Sequence, residues 1–290
     1  MELSGWDAAA VFAKAVTYAA TLGAAGAIFF IAYSGTLLQG PQRASIRWLI
    51  GSLLLVSALA SCLRIALNSA SMSGDVAGMF DSGFITMILG AGEGRAIGVR
   101  AAGLCLALAA VFSTDPRLFA LAFIGAVIAC MSFAFVGHVH ALPGALPAVL
   151  LCLHLLCASF WLGALAPLLI VARDSAASQF ADIAVRFGQI ALALAALLLG
   201  AGAALLWSLI EDAAMFWSSL YALLMVLKLL SVAVLLGLAG FNRLYATPRL
   251  LQAQTNAVHR LRRSIQLEIV VGMFILLFTA AFTTVTGPPH

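Results

Sequence analysis

Charged residues are scarce in this sequence: Asp, Glu, Lys and Arg together make up 9% of its 290 residues. A soluble domain carries roughly 25% charged residues, because its surface must interact with water. Here 64% of the residues are hydrophobic, and they form long uninterrupted runs. The composition therefore excludes an ordinary soluble domain and is typical of a multi-pass protein of the lipid bilayer.

Loop cysteines and a basic leader are also missing. All five cysteines fall inside apolar segments: Cys62, Cys105, Cys130, Cys152 and Cys157. An odd number of cysteines with none in a connection argues against a disulfide framework. The first residues, MELSGWD, are acidic where a cleavable signal peptide is basic, so we expect no such signal.

The motifs of several function classes are absent as well. No DNA- or RNA-binding pattern accompanies the net charge of +4, so we expect no nucleic-acid partner. No nucleophile–base pair, phosphate-binding loop or pair of acids indicates hydrolysis. We therefore expect a protein that is not an enzyme.

The apolar runs are long enough for several membrane spans. A helix needs about 20 apolar residues to cross a hydrocarbon layer about 30 Å thick. The sequence thus predicts an all-α polytopic fold, a single transmembrane domain over residues 1–290 with about eight spanning helices. The predicted spans are 10–34, 45–68, 95–112, 117–137, 148–171, 186–209, 218–240 and 264–285. The run 84–89 is too short to span, and we expect it to lie at the membrane interface or to re-enter the membrane.

Basic residues are concentrated in alternate connections between the predicted helices. Ten of the fifteen Lys and Arg residues lie there: Arg43, Arg47, Arg117, Arg173, Arg186, Arg243, Arg249, Arg260, Arg262 and Arg263. The positive-inside rule assigns these connections to the cytoplasm. Because the helix count is even, both termini are expected on the opposite, outer side.

Histidine and sulfur side chains are concentrated at that outer side. Thiolate and thioether sulfur select soft ions such as Cu(I), and imidazole binds copper in either oxidation state. His154, Cys157 and Trp161 have i, i+3, i+7 spacing and share one face of the fifth predicted helix. A residue that can be charged is costly two turns inside a span, so His154 indicates function. The candidate copper ligands are His138, His154, His140, Cys157, Met131 and Cys130.

Each candidate also has a simpler interpretation. Buried Met and Cys are most often packing residues, and His138 and His140 could be solvated loop residues. Lys228, near the middle of the seventh helix, cannot bind copper; its role would be electrostatic or proton-coupled, or it pairs with an acid. Lys14 and Arg100 lie nearer the outer helix ends, as do Arg64 and Arg95, so we expect these cations to snorkel to the membrane surface.

One stretch resembles a known family. Gly137-His138, followed by LHLLCASFWLGALAPL from Leu153 to Leu168, is similar to the copper resistance D family of bacterial inner-membrane proteins (CopD and PcoD). The resemblance covers residues 130–285, whereas residues 1–120 resemble the family only in hydropathy. Weaker matches follow in order: Arg186-Phe187-Gly188, Trp207, Tyr221, Leu227-Lys228-Leu229, Asn242-Arg243, Pro248, Arg262-Arg263 and Leu267-Glu268.

The resemblance implies copper import, homeostasis or resistance at the bacterial inner membrane, with periplasmic termini and a periplasmic, CopC-like copper-binding partner. His138, His154 and Trp161 match the family pattern, whereas the other candidate ligands come from spacing. Trp161 would pack behind the copper ligands. The only soft ligands near mid-membrane are Cys105 and Met273, which favours a periplasmic binding or redox site over a continuous conduit.

Two alternatives remain open. The chain could be a membrane b-type cytochrome in which His138 or His154 holds haem for electron transfer. It could also be a scaffold whose outer face docks a copper chaperone.

Overall fold

A computed structural model of the chain describes residues 5–137, 139, 142–210, 217–252 and 254–286. Within these ranges the chain is predominantly helical and contains no strand. Eight helices of this described part are long and apolar enough to cross a membrane. The predicted all-α, polytopic fold is thereby confirmed.

The eight spanning helices are labelled α1 to α8 in chain order. Their bounds are Gly5–Ser34 (α1), Gly40–Ser73 (α2), Gly92–Val111 (α3), Pro116–Met131 (α4), Leu146–Asp174 (α5), Ala177–Leu209 (α6), Leu220–Phe241 (α7) and Ala257–Phe282 (α8). Most of them extend beyond the predicted apolar runs. For example, α8 begins at Ala257 rather than at 264, because its polar first turns are helical although they are not apolar.

Two of the helices continue in tighter or wider turns. A 3-10 turn, Ser132–Phe135, extends α4. At the end of α7 the chain forms a π-helical segment, Asn242–Ala246, followed by a short α-helix, Thr247–Leu251. A π-helical turn inside an α-helix is rare and often marks a functional site.

The segment between α2 and α3 does not cross the membrane. It contains a 3-10 turn, Ala77–Phe80, and a nine-residue helix, Ser82–Gly90, which Asp81 caps by accepting from the backbone N–H of Gly83 and Phe84. Nine helical residues extend over only about 14 Å, less than half the hydrocarbon thickness. The segment is therefore too short to span, as predicted; its place at the interface stays a prediction.

Glycines permit the closest helix contacts in the bundle. A Cβ atom on Gly26 of α1 would lie 1.8 Å from the Ser159 carbonyl oxygen of α5, and one on Gly163 would lie 2.6 Å from the Gly26 Cα. No side chain fits at this crossing, so the backbones of α1 and α5 touch directly, as in other membrane helix pairs. Helix α1 is accordingly the most enclosed of the eight.

The connections with most of the basic residues meet at one end of the bundle, which we call the basic end. There Gln179 Nε2 donates to the Leu37 carbonyl at 2.7 Å, and Gln42 Nε2 donates to the Asp174 carbonyl at 3.2 Å. These bonds join the α1–α2 connection to the α5–α6 connection. The other end, which includes the α4–α5 connection, is called the opposite end.

Two cations at the opposite end do not snorkel, so that expectation is wrong for them. Arg100 is 1% exposed; its Nε and Nη1 donate to the hydroxyls of Ser132 and Ser61 at 3.0 and 3.2 Å. Arg64, also buried, forms a salt bridge of 2.6 Å with Glu93. Polar partners on neighbouring helices replace part of the water around both side chains, although Nη2 of Arg100 has no hydrogen-bond partner among the described residues. Hydropathy along one helix does not reveal such partners.

Candidate functional site

His154 lies in α5, about 12 Å along the helix from its first residue. Its ring is half-buried, and its Nδ1 is 3.0 Å from the carbonyl oxygen of Leu198 in α6. A carbonyl oxygen can only accept a hydrogen bond, so Nδ1 must carry a proton. In the neutral ring, the lone pair of Nε2 is then available to bind a metal ion.

A glycine in α6 makes room for this imidazole. A Cβ atom on Gly202 would lie 3.0 Å from Cε1 and 3.1 Å from Nδ1 of His154. These separations are shorter than ordinary van der Waals contact, so a side chain at 202 would push the ring out of place. The histidine bond to Leu198 and the glycine at 202 together fix the ring against α6.

Two predicted ligands, His138 and His140, lie outside the described residues. They belong to the α4–α5 connection at the opposite end, which leads directly into the helix that carries His154. Whether they share an ion with His154 therefore stays a prediction.

Cys130 and Met131, at the end of α4, have different surroundings from His154. The Cys130 side chain is buried, and its Sγ is 3.4 Å from the hydroxyl of Ser159 in α5. Ser159 and His154 are five residues apart, about 140° around the helix. Cys130 thus meets another face of α5 than the one that His154 presents to α6, while Met131 is 43% exposed on the surface of the bundle.

Further along α5, Cys157 and Trp161 are both buried. The Trp161 Nε1 donates to Glu268 Oε2 in α8 at 3.4 Å. The other carboxylate oxygen of Glu268 accepts from Nδ2 of Asn242 at 2.5 Å. Trp161 is therefore part of a buried polar trio, Trp161–Glu268–Asn242, that joins three helical elements.

Lys228 in α7 is half-buried, and its Nζ lies 5.2 Å from the centre of the Phe282 ring. Among the described residues it forms no salt bridge with an acid. The electrostatic role proposed for Lys228 is thus compatible with its position, and the ring of Phe282 stabilises the cation.

In the described parts of the chain, no three His, Cys, Asp or Glu side chains come together in a group that could hold a metal ion. Those parts therefore contribute one well-oriented imidazole to a possible copper site, and not a complete set of ligands.

Two family models match the chain. The one described as "Copper resistance protein D-like, N-terminal domain" matches residues 5–148, and the one described as "Copper resistance protein D" matches residues 181–282. The chain belongs to the copper resistance protein D family. This copper resistance protein is accordingly a multi-pass membrane protein. A comparison with curated proteins and one with solved structures each found no match.

The two matched segments of this copper resistance protein divide the site residues. Most of α5, with His154 and Trp161, lies between them, whereas Lys228, Asn242 and Glu268 lie in the second. The polar trio was not predicted from the sequence. Two features could have indicated it: Glu268 is a charged residue close to an apolar run, and the pairs Asn242-Arg243 and Leu267-Glu268 belong to the family resemblance.

Proposed function

We propose that this copper resistance protein binds copper at the opposite end of the bundle and that this end faces the periplasm of a bacterial inner membrane. The basic residues at the other end support this orientation, because such residues stay in the cytoplasm. Both termini would then be periplasmic. Copper is the cargo, which the protein imports or holds for homeostasis and resistance.

The observation that carries the proposal is the hydrogen bond between His154 Nδ1 and the Leu198 carbonyl. Histidines that bind metals usually donate their second ring N–H to a carbonyl or carboxylate, which fixes the tautomer and the ring orientation. His154 has this arrangement. Its Nε2 is the proposed first copper ligand.

The remaining ligands are proposed from the α4–α5 connection and from α5 itself. His138 and His140 precede α5, and Cys157 is one turn beyond His154 on the same helix. Imidazole nitrogen and cysteine sulfur together suit Cu(I). The contact of Cys130 with Ser159 supports a packing role for that cysteine. Met131 is exposed and is proposed as an entry ligand.

A periplasmic, CopC-like copper-binding protein is the proposed donor. It would dock at the opposite end and pass copper to the histidines there. The family membership supports the link to copper, and the partner is proposed from the resemblance described above.

Metal analysis of the purified protein tests the proposal. Wild type, His154→Ala and His138→Ala are loaded with Cu(I), washed, and compared with His259→Ala, which changes an exposed histidine at the basic end. We expect less copper in the first two variants and wild-type copper in the third. Equal copper in all four proteins would contradict the proposal.

Two further measurements separate the alternatives. A Soret band in the visible spectrum of the purified protein would support haem binding instead of copper. If His154→Ala lowers copper binding but leaves cellular copper uptake unchanged, the protein acts as a docking scaffold and not as an importer.

A further inference from the structure

A cavity of about 210 Å³ lies near the basic end, between α5, α6, α7 and α8. Liquid water occupies about 30 Å³ per molecule, so several water molecules would fit. Most of the lining is apolar, and the buried polar trio Trp161–Glu268–Asn242 forms part of the wall. The cavity is therefore mostly apolar, with one polar patch in its wall.

Glu268 brings a negative charge to this wall. The residue is 3% exposed, and no salt bridge to it is found among the described residues. Arg243 also lines the cavity, but its side chain is exposed and its Nη1 donates to the Gly188 carbonyl at 2.9 Å. A buried carboxylate without a counter-ion is costly, and the two hydrogen bonds from Trp161 and Asn242 offset only part of that cost.

Asn242 brings an oxygen without a partner. Its Nδ2 donates to Glu268. Beside an ionised carboxylate only the NH₂ group of the amide can face that oxygen, which leaves Oδ1 as the free acceptor. This oxygen is buried and has no hydrogen-bond partner, and the residue is 9% exposed. Buried acceptors are nearly always satisfied, so this one indicates a missing donor or cation.

The backbone at this position is π-helical. Asn242 begins the π-helical segment that follows α7, and Gly240, just before that segment, and Thr247, just after it, also line the cavity. A π-helical turn inside a helix often lies at a functional site.

We propose that this cavity binds Na⁺ through the Glu268 carboxylate and Asn242 Oδ1. Oxygen ligands select hard cations, and soft Cu(I) prefers sulfur or imidazole, neither of which lines the cavity. One carboxylate balances one positive charge, so a divalent ion would leave excess charge inside the membrane. The site is distinct from the proposed copper site, because His154, Cys157 and the other described candidate copper ligands do not line the cavity.

Sodium binding to the purified full-length protein tests this proposal. Radioactive Na⁺ binding is measured directly, and thermal unfolding is compared in NaCl and in choline chloride at equal ionic strength. We expect saturable binding and a higher Tm in NaCl, because a ligand that binds only the folded state stabilises it. No sodium-specific effect in the wild type would overturn the proposal; a carboxyl group that is simply protonated gives that result.

Glu268→Gln is the decisive variant. The glutamine can still accept from Trp161, and it can donate to Asn242 Oδ1 if that amide turns over, so the fold should persist in choline chloride. Sodium binding should weaken more than about tenfold, because the charged ligand is lost. Asp182→Asn, which changes an exposed carboxylate near the basic end, is the matched control and should bind sodium like the wild type.

Asn242→Asp separates ion binding from packing. Two facing carboxylates repel each other when no cation is present, so this variant should have a lower Tm than the wild type in choline chloride. If the cavity holds Na⁺, sodium should raise its Tm by more than it raises that of the wild type. A Tm equally low in both salts would contradict the proposal. Copper binding should be unchanged in both variants, so the copper and sodium proposals fail independently.

Discussion

Two glutamates show two ways of accommodating a carboxylate within the bundle. Glu93, at the start of α3, pairs with Arg64 at 2.6 Å. Glu268, in α8, has neutral donors instead of a cation and lies beside a cavity. The first arrangement is complete within the chain, whereas the second leaves a negative charge and a free amide oxygen. The difference indicates that Glu93 stabilises the fold, and it is the basis of the sodium proposal for Glu268.

Both glutamates depend on an assembled bundle, and Gly26→Ala should lower the stability of that bundle more than any other variant proposed here. The new methyl group would overlap the Ser159 carbonyl, so α1 and α5 must separate. We expect a loss of more than about 3 kcal/mol in the free energy of unfolding, measured by denaturant titration in detergent. The control is Gly98→Ala in α3, where a Cβ meets nothing within 4 Å. Similar stability of both variants would contradict the direct backbone contact.

Glu93→Gln should destabilise the protein by about 3 kcal/mol, because it leaves Arg64 buried without its counter-ion. The double variant Glu93→Gln with Arg64→Met removes both charges and should recover most of this loss. The same denaturant titration measures both. If the single variant is as stable as the wild type, the salt bridge has no structural role.

Gly202→Ala should weaken copper binding about tenfold, or about 1.4 kcal/mol, with little change in stability. The added methyl group would push the His154 ring from the Leu198 carbonyl and so disturb the orientation of Nε2. Competition with a coloured Cu(I) chelator measures the affinity. Gly200→Ala, on the same helix but with open space around a Cβ, should keep wild-type affinity.

Glu268→Gln should have the smallest effect on folding, less than about 1 kcal/mol in sodium-free buffer, because the glutamine amide can satisfy its neighbours. Set beside Glu93→Gln, this variant makes the same chemical change at the other carboxylate. A loss as large as that of Glu93→Gln would show that both glutamates are structural and would remove the distinction between them.

The sequence was sufficient for the architecture. The length of each apolar run predicts a span directly, and all eight predicted spans correspond to helices. The prediction failed at helix ends, because polar turns such as the one that begins α8 remain helical. The sequence also singles out His154 as a candidate, since the cost of an ionisable residue inside a span depends only on that residue and its depth. Its role in copper binding stays a prediction.

The lateral neighbours of each helix could not be predicted in this way. Trp161, Asn242 and Glu268 are far apart in sequence, and periodicity identifies a face without saying which helix it meets. The burial of Arg100 has the same origin, because the serines that receive its hydrogen bonds belong to α2 and to the turn after α4. The shared site of His138 and His154, the orientation of the termini and the CopC-like donor stay predictions.

The carbonyl that accepts from His154 belongs to a helical turn of α6, where it is also the acceptor for the backbone N–H four residues later. A cation on Nε2 would draw electron density from the ring and make the Nδ1 proton a stronger donor to that shared oxygen. Metal binding to the imidazole would thereby weaken the backbone hydrogen bond that shares this oxygen in the neighbouring helix. Amide hydrogen exchange around Leu198, slower or faster on metal loading, would report that mechanical link.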